Sequence, residues 1–170
     1  MADWIRTHPR QANLLGALVC AGLMGYALYA QYVLGLAPCP LCVFQRVAVI
    51  ALGLVFLVAA AHPAGRTGRR AYAVAIALVA LAGAGVAARH LWLQSLPPDR
   101  VPACGPGLGF ILEAFPPGEA LAMVFTGSGE CANVDWRFLG LAMPAWVLLA
   151  LAGLGLAGVA ANLLAATARR

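Results

Sequence analysis

Lysine is absent from this 170-residue chain, and all 11 basic residues are Arg. Charged residues of both signs make up only 10% of it, against about 25% in an ordinary soluble domain. With 63% of residues hydrophobic, a soluble globule of this size lacks the polar groups to cover its surface. The same composition excludes intrinsic disorder, which needs low hydrophobicity and high net charge. There is no flavin or dinucleotide fingerprint, no internal repeat, and no haem-ligating pattern among His8, His62 and His90. The net charge of +5 does not indicate nucleic acid. The Arg residues sit singly or in short clusters beside apolar stretches and form no basic face. What remains, at a mean hydropathy of +0.87, is an integral membrane protein of several helical spans.

Four apolar stretches reach the about 20 residues that a crossing needs. They cover about 13–34, 41–61, 71–89 and 142–164, the last lying inside an uncharged run from Phe138 to Thr167. Helix is the expected structure, because backbone groups in lipid must be satisfied within the segment and these runs lack the alternation of barrel strands. The first stretch is too long for the 7–15-residue apolar core of a signal peptide. The expected fold is therefore an all-α membrane protein, a single domain built as a four-transmembrane-helix bundle.

Arginine placement sets the orientation. The N-terminal tail (Arg6, Arg10), the 62–70 loop (Arg66, Arg69, Arg70) and the C-terminus (Arg169, Arg170) hold seven Arg against one acid, Asp3. The segment 91–137 holds Arg100 and Arg137 against Asp99, Glu113, Glu119, Glu130 and Asp135. The positive-inside rule then puts both termini in the cytoplasm and the long loop between helices 3 and 4, about 91–140, on the outer face. That loop carries six Pro, so it cannot be one helix. Its apolar patches at 110–115 and 120–125 are too short to span. They either lie in the membrane interface or pack on top of the bundle.

Of five Cys, Cys20 falls mid-span, where a thiol behaves as a small hydrophobe. The other four, Cys39, Cys42, Cys104 and Cys131, all fall on the outer side, where disulfide chemistry is expected. Cys39-Pro40-Leu41-Cys42 has the C-x-x-C spacing of redox-active dithiols, shared with zinc sites. Pro40 suits the first turn of a helix. The pair then sits at a helix N-terminus, whose dipole and free N–H groups favour thiolate. Cys39, Cys42 and Arg46 fall within about 60° around that helix. An Arg at the bilayer centre costs about 2.5–3.5 kcal/mol. Arg46 is therefore either a snorkelling anchor or the stabiliser of a nearby anion, such as the Cys42 thiolate or a reduced acceptor. Cys104 and Cys131 lie beside Gly and Pro in mobile-looking backbone, which fits a bridge made to be opened and remade. Two such pairs suggest a relay: an external dithiol reduces one, which reduces the other. Four Cys nonetheless allow three pairings.

The chain resembles the bacterial disulfide bond formation protein B (DsbB) family. The resemblance rests on Cys39-Pro40-Leu41-Cys42-Val43-Phe44-Gln45-Arg46, on His90 at the end of span three, on Cys104 in a Pro-rich loop, and on Ser128-Gly129-Glu130-Cys131 running on to Trp146. It implies a bacterial inner-membrane thiol:quinone oxidoreductase with its site on the periplasmic side. Such a protein reoxidises a periplasmic thioredoxin-like dithiol oxidase (DsbA-type) and passes the electrons to a membrane quinone, ubiquinone in preference to menaquinone. It implies that Cys104 takes the partner's thiolate, that Cys131 is its loop partner and exchanges with Cys39, and that Cys42 meets the quinone beside Arg46. His90 would contact the quinone region or only anchor span three. Gln45 stands where some members carry an acid, and no role is assigned to it. The rivals are a vitamin K epoxide reductase-like enzyme, whose C-x-x-C belongs near the last span, and a non-enzymatic membrane protein with structural disulfides or a four-thiolate metal site. Single cysteines left at 39 and at 104 should react with membrane-impermeant thiol reagents from one side of the bilayer. Labelling of 39 and 104 from opposite sides overturns the orientation.

Overall fold

The computed structural model describes residues 8–102, 110, 113–116, 118–119, 122 and 129–167. Four long helices carry the fold: α1 (Pro9–Tyr32), α2 (Pro40–Ala61), α3 (Arg66–Gln94) and α4 (Met143–Thr167). All four are long and apolar enough to cross a membrane. At 1.5 Å per residue they measure about 33–44 Å, against about 30 Å of hydrocarbon. Proline opens α1 and α2 in the first turn, where its missing N–H costs nothing. The first stretch becomes helical earlier than residue 13, and α3 extends past both ends of 71–89. Of the segment 110–115 residues 111 and 112 lie outside the described residues, as does all of 120–125 but residue 122, and Cys104 lies wholly outside them.

The most extensive packing is between α3 and α4, followed by α1 against α2 and α2 against α3. The central core joins Cys20, Val49, Leu52, Phe56, Ile76, Ala80 and Leu151. A second cluster, Leu41, Val86, Leu93 and Cys131, lies at the end of the bundle where α2 starts and α3 finishes. Leu18, Leu54, Leu78, Leu81 and Leu156 point outward and are exposed, as lipid contact requires.

Small residues let the helices approach. A Cβ added at Gly155 of α4 would lie 2.7 Å from Ala80 Cβ of α3, and one at Gly83 would lie 2.7 Å from Ala48 Cβ. Close backbone approach of this kind drives helix association in lipid, where there is no hydrophobic gain from contact. At the end of the bundle remote from the cysteines, Asn13 and Asn162 are fully buried and pair across α1 and α4. Asn162 Nδ2 donates to Asn13 Oδ1 at 3.0 Å, and each side chain also bonds its own helix carbonyl four residues back. A buried amide without a partner is costly, so this pair fixes the register of the two helices.

Between 137 and 142 the chain forms a tight hairpin. Arg137–Phe138 pairs with Leu141–Ala142, and Leu139 (φ 50) and Gly140 (φ 80) make the turn. Positive φ at both central positions is the type I′ geometry that suits strand twist.

Gly155→Val should destabilise the bundle by about 1–3 kcal/mol through overpacking. Gly153→Val should be nearly neutral, because nothing lies within 4 Å of its added Cβ. Unfolding in mixed detergent–SDS micelles measures both.

Candidate active site

The site forms where α2 begins. Cys39 is its N-cap in extended backbone (φ −68, ψ 164), and its Sγ accepts from the Cys42 N–H at 3.4 Å. Three residues later the chain has made nearly one turn, which brings the second sulfur over the first. The two Sγ atoms lie 3.1 Å apart in a thiol–thiol hydrogen bond. Closing a disulfide at about 2.05 Å needs a shift of only about 1 Å.

His90, near the end of α3, faces this pair. It is 2% exposed. Its Nε2 lies 3.8 Å from Cys39 Sγ and its Nδ1 4.0 Å from Cys42 Sγ. The ring is held on both sides, by the Cys131 carbonyl 3.0 Å from Nε2 and by the Gln45 amide nitrogen 3.0 Å from Nδ1. Cys131, fully buried in the short turn Gly129–Ala132, is thus tied through its backbone to the histidine that faces the cysteine pair. Cys39 packs on the cluster that contains Cys131.

Arg46 lies one turn beyond Cys42, as the periodicity predicts, but its hydrogen bonds go to α1. Nη1 donates to Gln31 Oε1 and Nη2 to the Ala27 carbonyl at 3.1 Å. With its donors partly satisfied in this way, the charge is held still near Cys42 without bonding it.

Two cavities meet at this point. One, of about 290 Å³, is lined by Cys39, Cys42, His90, Gln94, Glu130 and Asp135 among others. The second, about 110 Å³, is an apolar groove with Leu23, Tyr26, Val49, Trp136 and Trp146 on its walls. Cys42, Arg46, Trp136, Met143 and Pro144 line both. The groove's aromatic wall is built by the hairpin. Trp146 Nε1 donates to the Phe138 carbonyl at 3.1 Å, Phe138 stacks on Trp136 at 6.1 Å, and Trp136 meets Tyr26 edge-on. Gln94 Oε1 is buried without a hydrogen-bond partner on the wall of the larger cavity.

The structure thus brings together Cys39, Cys42, Cys131, Arg46 and His90, while Cys104 is outside the described residues. It adds Gln45, Gln31 and the Trp136–Trp146 wall. Gln45 and Gln31 are amides inside apolar runs, and that is the one signal the sequence offers for them.

The family described as Disulfide bond formation protein DsbB matches residues 9–161. The chain belongs to the DsbB family. Named relatives agree. Disulfide bond formation protein B of Chromobacterium violaceum is 55% identical over 144 residues, covering 85% of this chain and 87% of that one. The Methylococcus capsulatus protein of the same name is 53% identical over 146 residues (86% and 89%). That of Hahella chejuensis is 54% identical over 153 residues (90% and 92%). As a DsbB-family member the chain is a disulfide-forming oxidoreductase with several membrane helices, which sets aside a purely structural role. Ligand atoms of Cys39, Cys42 and His90 lie within 4.8 Å of one another. Both His90 nitrogens are already engaged, however, so a metal there would have to displace Gln45 or the Cys131 backbone.

Proposed function

We propose that this protein reoxidises a periplasmic thioredoxin-like dithiol oxidase of DsbA type and delivers the electrons to a membrane quinone, ubiquinone in preference to menaquinone. The observation that carries the reading is the position of Cys42, on the shared wall of an apolar groove and a cavity of mixed lining that includes Glu130, Asp135 and Gln94. A soluble thiol donor and a lipid-soluble acceptor need opposite surroundings, and one sulfur touches both. The bundle lies in the bacterial inner membrane, with both termini cytoplasmic, following the Arg distribution.

The groove suits a quinone. It offers flat aromatic walls for a ring and apolar side chains for an isoprenoid tail, with Arg46 on the wall it shares with the larger cavity. A bound quinone supplies two-electron oxidising power, and the protein supplies position and charge.

The thiol steps conserve atoms and electrons. The partner's thiolate attacks Cys104 of a Cys104–Cys131 disulfide, forming a mixed disulfide and releasing Cys131 as thiolate. Cys131 attacks Cys39 of the Cys39–Cys42 disulfide, forming Cys39–Cys131 and releasing the Cys42 thiolate. The partner's second thiol resolves the mixed disulfide and leaves oxidised. Re-forming the two internal disulfides removes two electrons and two protons, which the quinone accepts. Such exchange depends on thiolate character and access of the attacking sulfur. It depends also on the leaving thiolate, and the one released here, Cys42, lies at the α2 N-terminus near Arg46.

Purified protein, reduced partner and ubiquinone should give stoichiometric loss of quinone absorbance. Cys39→Ser, Cys42→Ser, Cys104→Ser and Cys131→Ser should each abolish it, and Cys20→Ala should not. Full turnover by the Cys104→Ser protein sinks the relay. Arg46→Ala should keep the fold and raise the quinone KM about tenfold, the loss of one charge-assisted hydrogen bond. An unchanged KM returns Arg46 to the role of anchor.

A further inference from the structure

Gln45 has no place in the reading above, yet it is 4% exposed and its amide reaches His90. The protonation of this cluster follows from one fixed point. The Cys131 carbonyl can only accept, so the His90 nitrogen 3.0 Å from it, Nε2, must carry a hydrogen. With the ring neutral, Nδ1 is then a bare acceptor. The group facing it must be a donor, and the NH2 of Gln45 is one, at 3.0 Å. The chain of hydrogen bonds therefore runs one way, from Gln45 to His90 to the backbone of Cys131. An imidazole presents only one N–H when neutral, and the bond made by one nitrogen decides what the other does.

We infer that Gln45 is a positioning residue: by donating to Nδ1 it reinforces the Nε2–H tautomer that the Cys131 carbonyl requires, and so helps hold Cys131 beside the Cys39–Cys42 pair. A carboxylate at position 45 could not do this. It has no donor when ionised, so Nδ1 would have to carry the hydrogen. A neutral ring would then lose its bond to Cys131, and only a ring protonated on both nitrogens would keep it. Cys131 sits on a four-residue turn that follows a long loop and reaches α3 through this carbonyl. The His90 bond adds a directional tie to the packing of Cys131 on Leu41, Val86 and Leu93. The inference rests on the proposed exchange between Cys131 and Cys39, because seating Cys131 matters only if its sulfur must find Cys39.

The test uses the full chain in nanodiscs with two readouts. The first is the nitrogen-15 NMR signature of His90 in reduced protein, identified by its loss in His90→Asn. The second is the equilibrium share of Cys39–Cys131 disulfide in a glutathione buffer, read by alkylation and peptide mapping. Wild type should show the Nε2–H tautomer. Gln45→Leu should give mixed tautomers and lower the Cys39–Cys131 share about two- to tenfold, the value of one lost hydrogen bond. Gln45→Glu should protonate Nδ1, and Gln45→Asn should fall between Leu and wild type. An Nδ1–H tautomer in wild type overturns the inference even if Gln45→Leu does not fold. An unaltered tautomer and disulfide share in Gln45→Leu also overturn it. Failure of wild-type turnover with quinone would instead strike the functional reading and leave the tautomer result standing.

Discussion

A polar group inside a bundle bathed in lipid must find its hydrogen bonds within the bundle, and this constraint organises the whole molecule. Among the described residues, the buried polar side chains gather at the two ends. Asn13 and Asn162 satisfy each other between α1 and α4. At the opposite end Gln45 and His90 satisfy each other between α2 and α3, and His90 carries the connection onward to the loop. Between them lies a core of apolar side chains and close-packed small residues. The chemistry is therefore confined to one rim, while the rest of the bundle serves as a rigid mount.

That mount explains how a short C-x-x-C can work at a membrane boundary. Pro40 starts α2 and Leu41 is fully buried beneath it, so the first turn cannot swing. Arg46 is tied to α1 through Gln31 and Ala27, which holds a positive charge near Cys42 at fixed distance. Trp136, just before the hairpin, leans on Tyr26 of α1, and Phe138 of the hairpin leans on Trp146 of α4, so the two close the groove from the third side. Three separate stretches of sequence thus converge on one sulfur.

Much of this was legible beforehand, and the parts that were not share a cause. The four helices follow from apolar runs that permit no other structure in lipid. The helix start at Pro40 and the alignment of Cys39, Cys42 and Arg46 follow from local rules, and the structure has them. What periodicity could not show is the partner across a helix interface. For Arg46 the sequence leaves open an anchor or the stabiliser of an anion, and does not show that its hydrogen bonds go to α1. His90 gave no sign of being buried against both cysteines, nor Gln45 of gripping it. The hairpin was hidden because Leu139-Gly140 is a weak turn signal within an uncharged run that reads as the approach to a helix.

One atom has two employments in this structure. Cys39 Sγ is the acceptor that closes the first turn of α2, and in the proposed exchange it is also the sulfur that changes partners. Each exchange would then take the stopper from the helix and leave the Cys42 amide facing its own released thiolate, so the proposed chemistry couples oxidation state to the cap of α2.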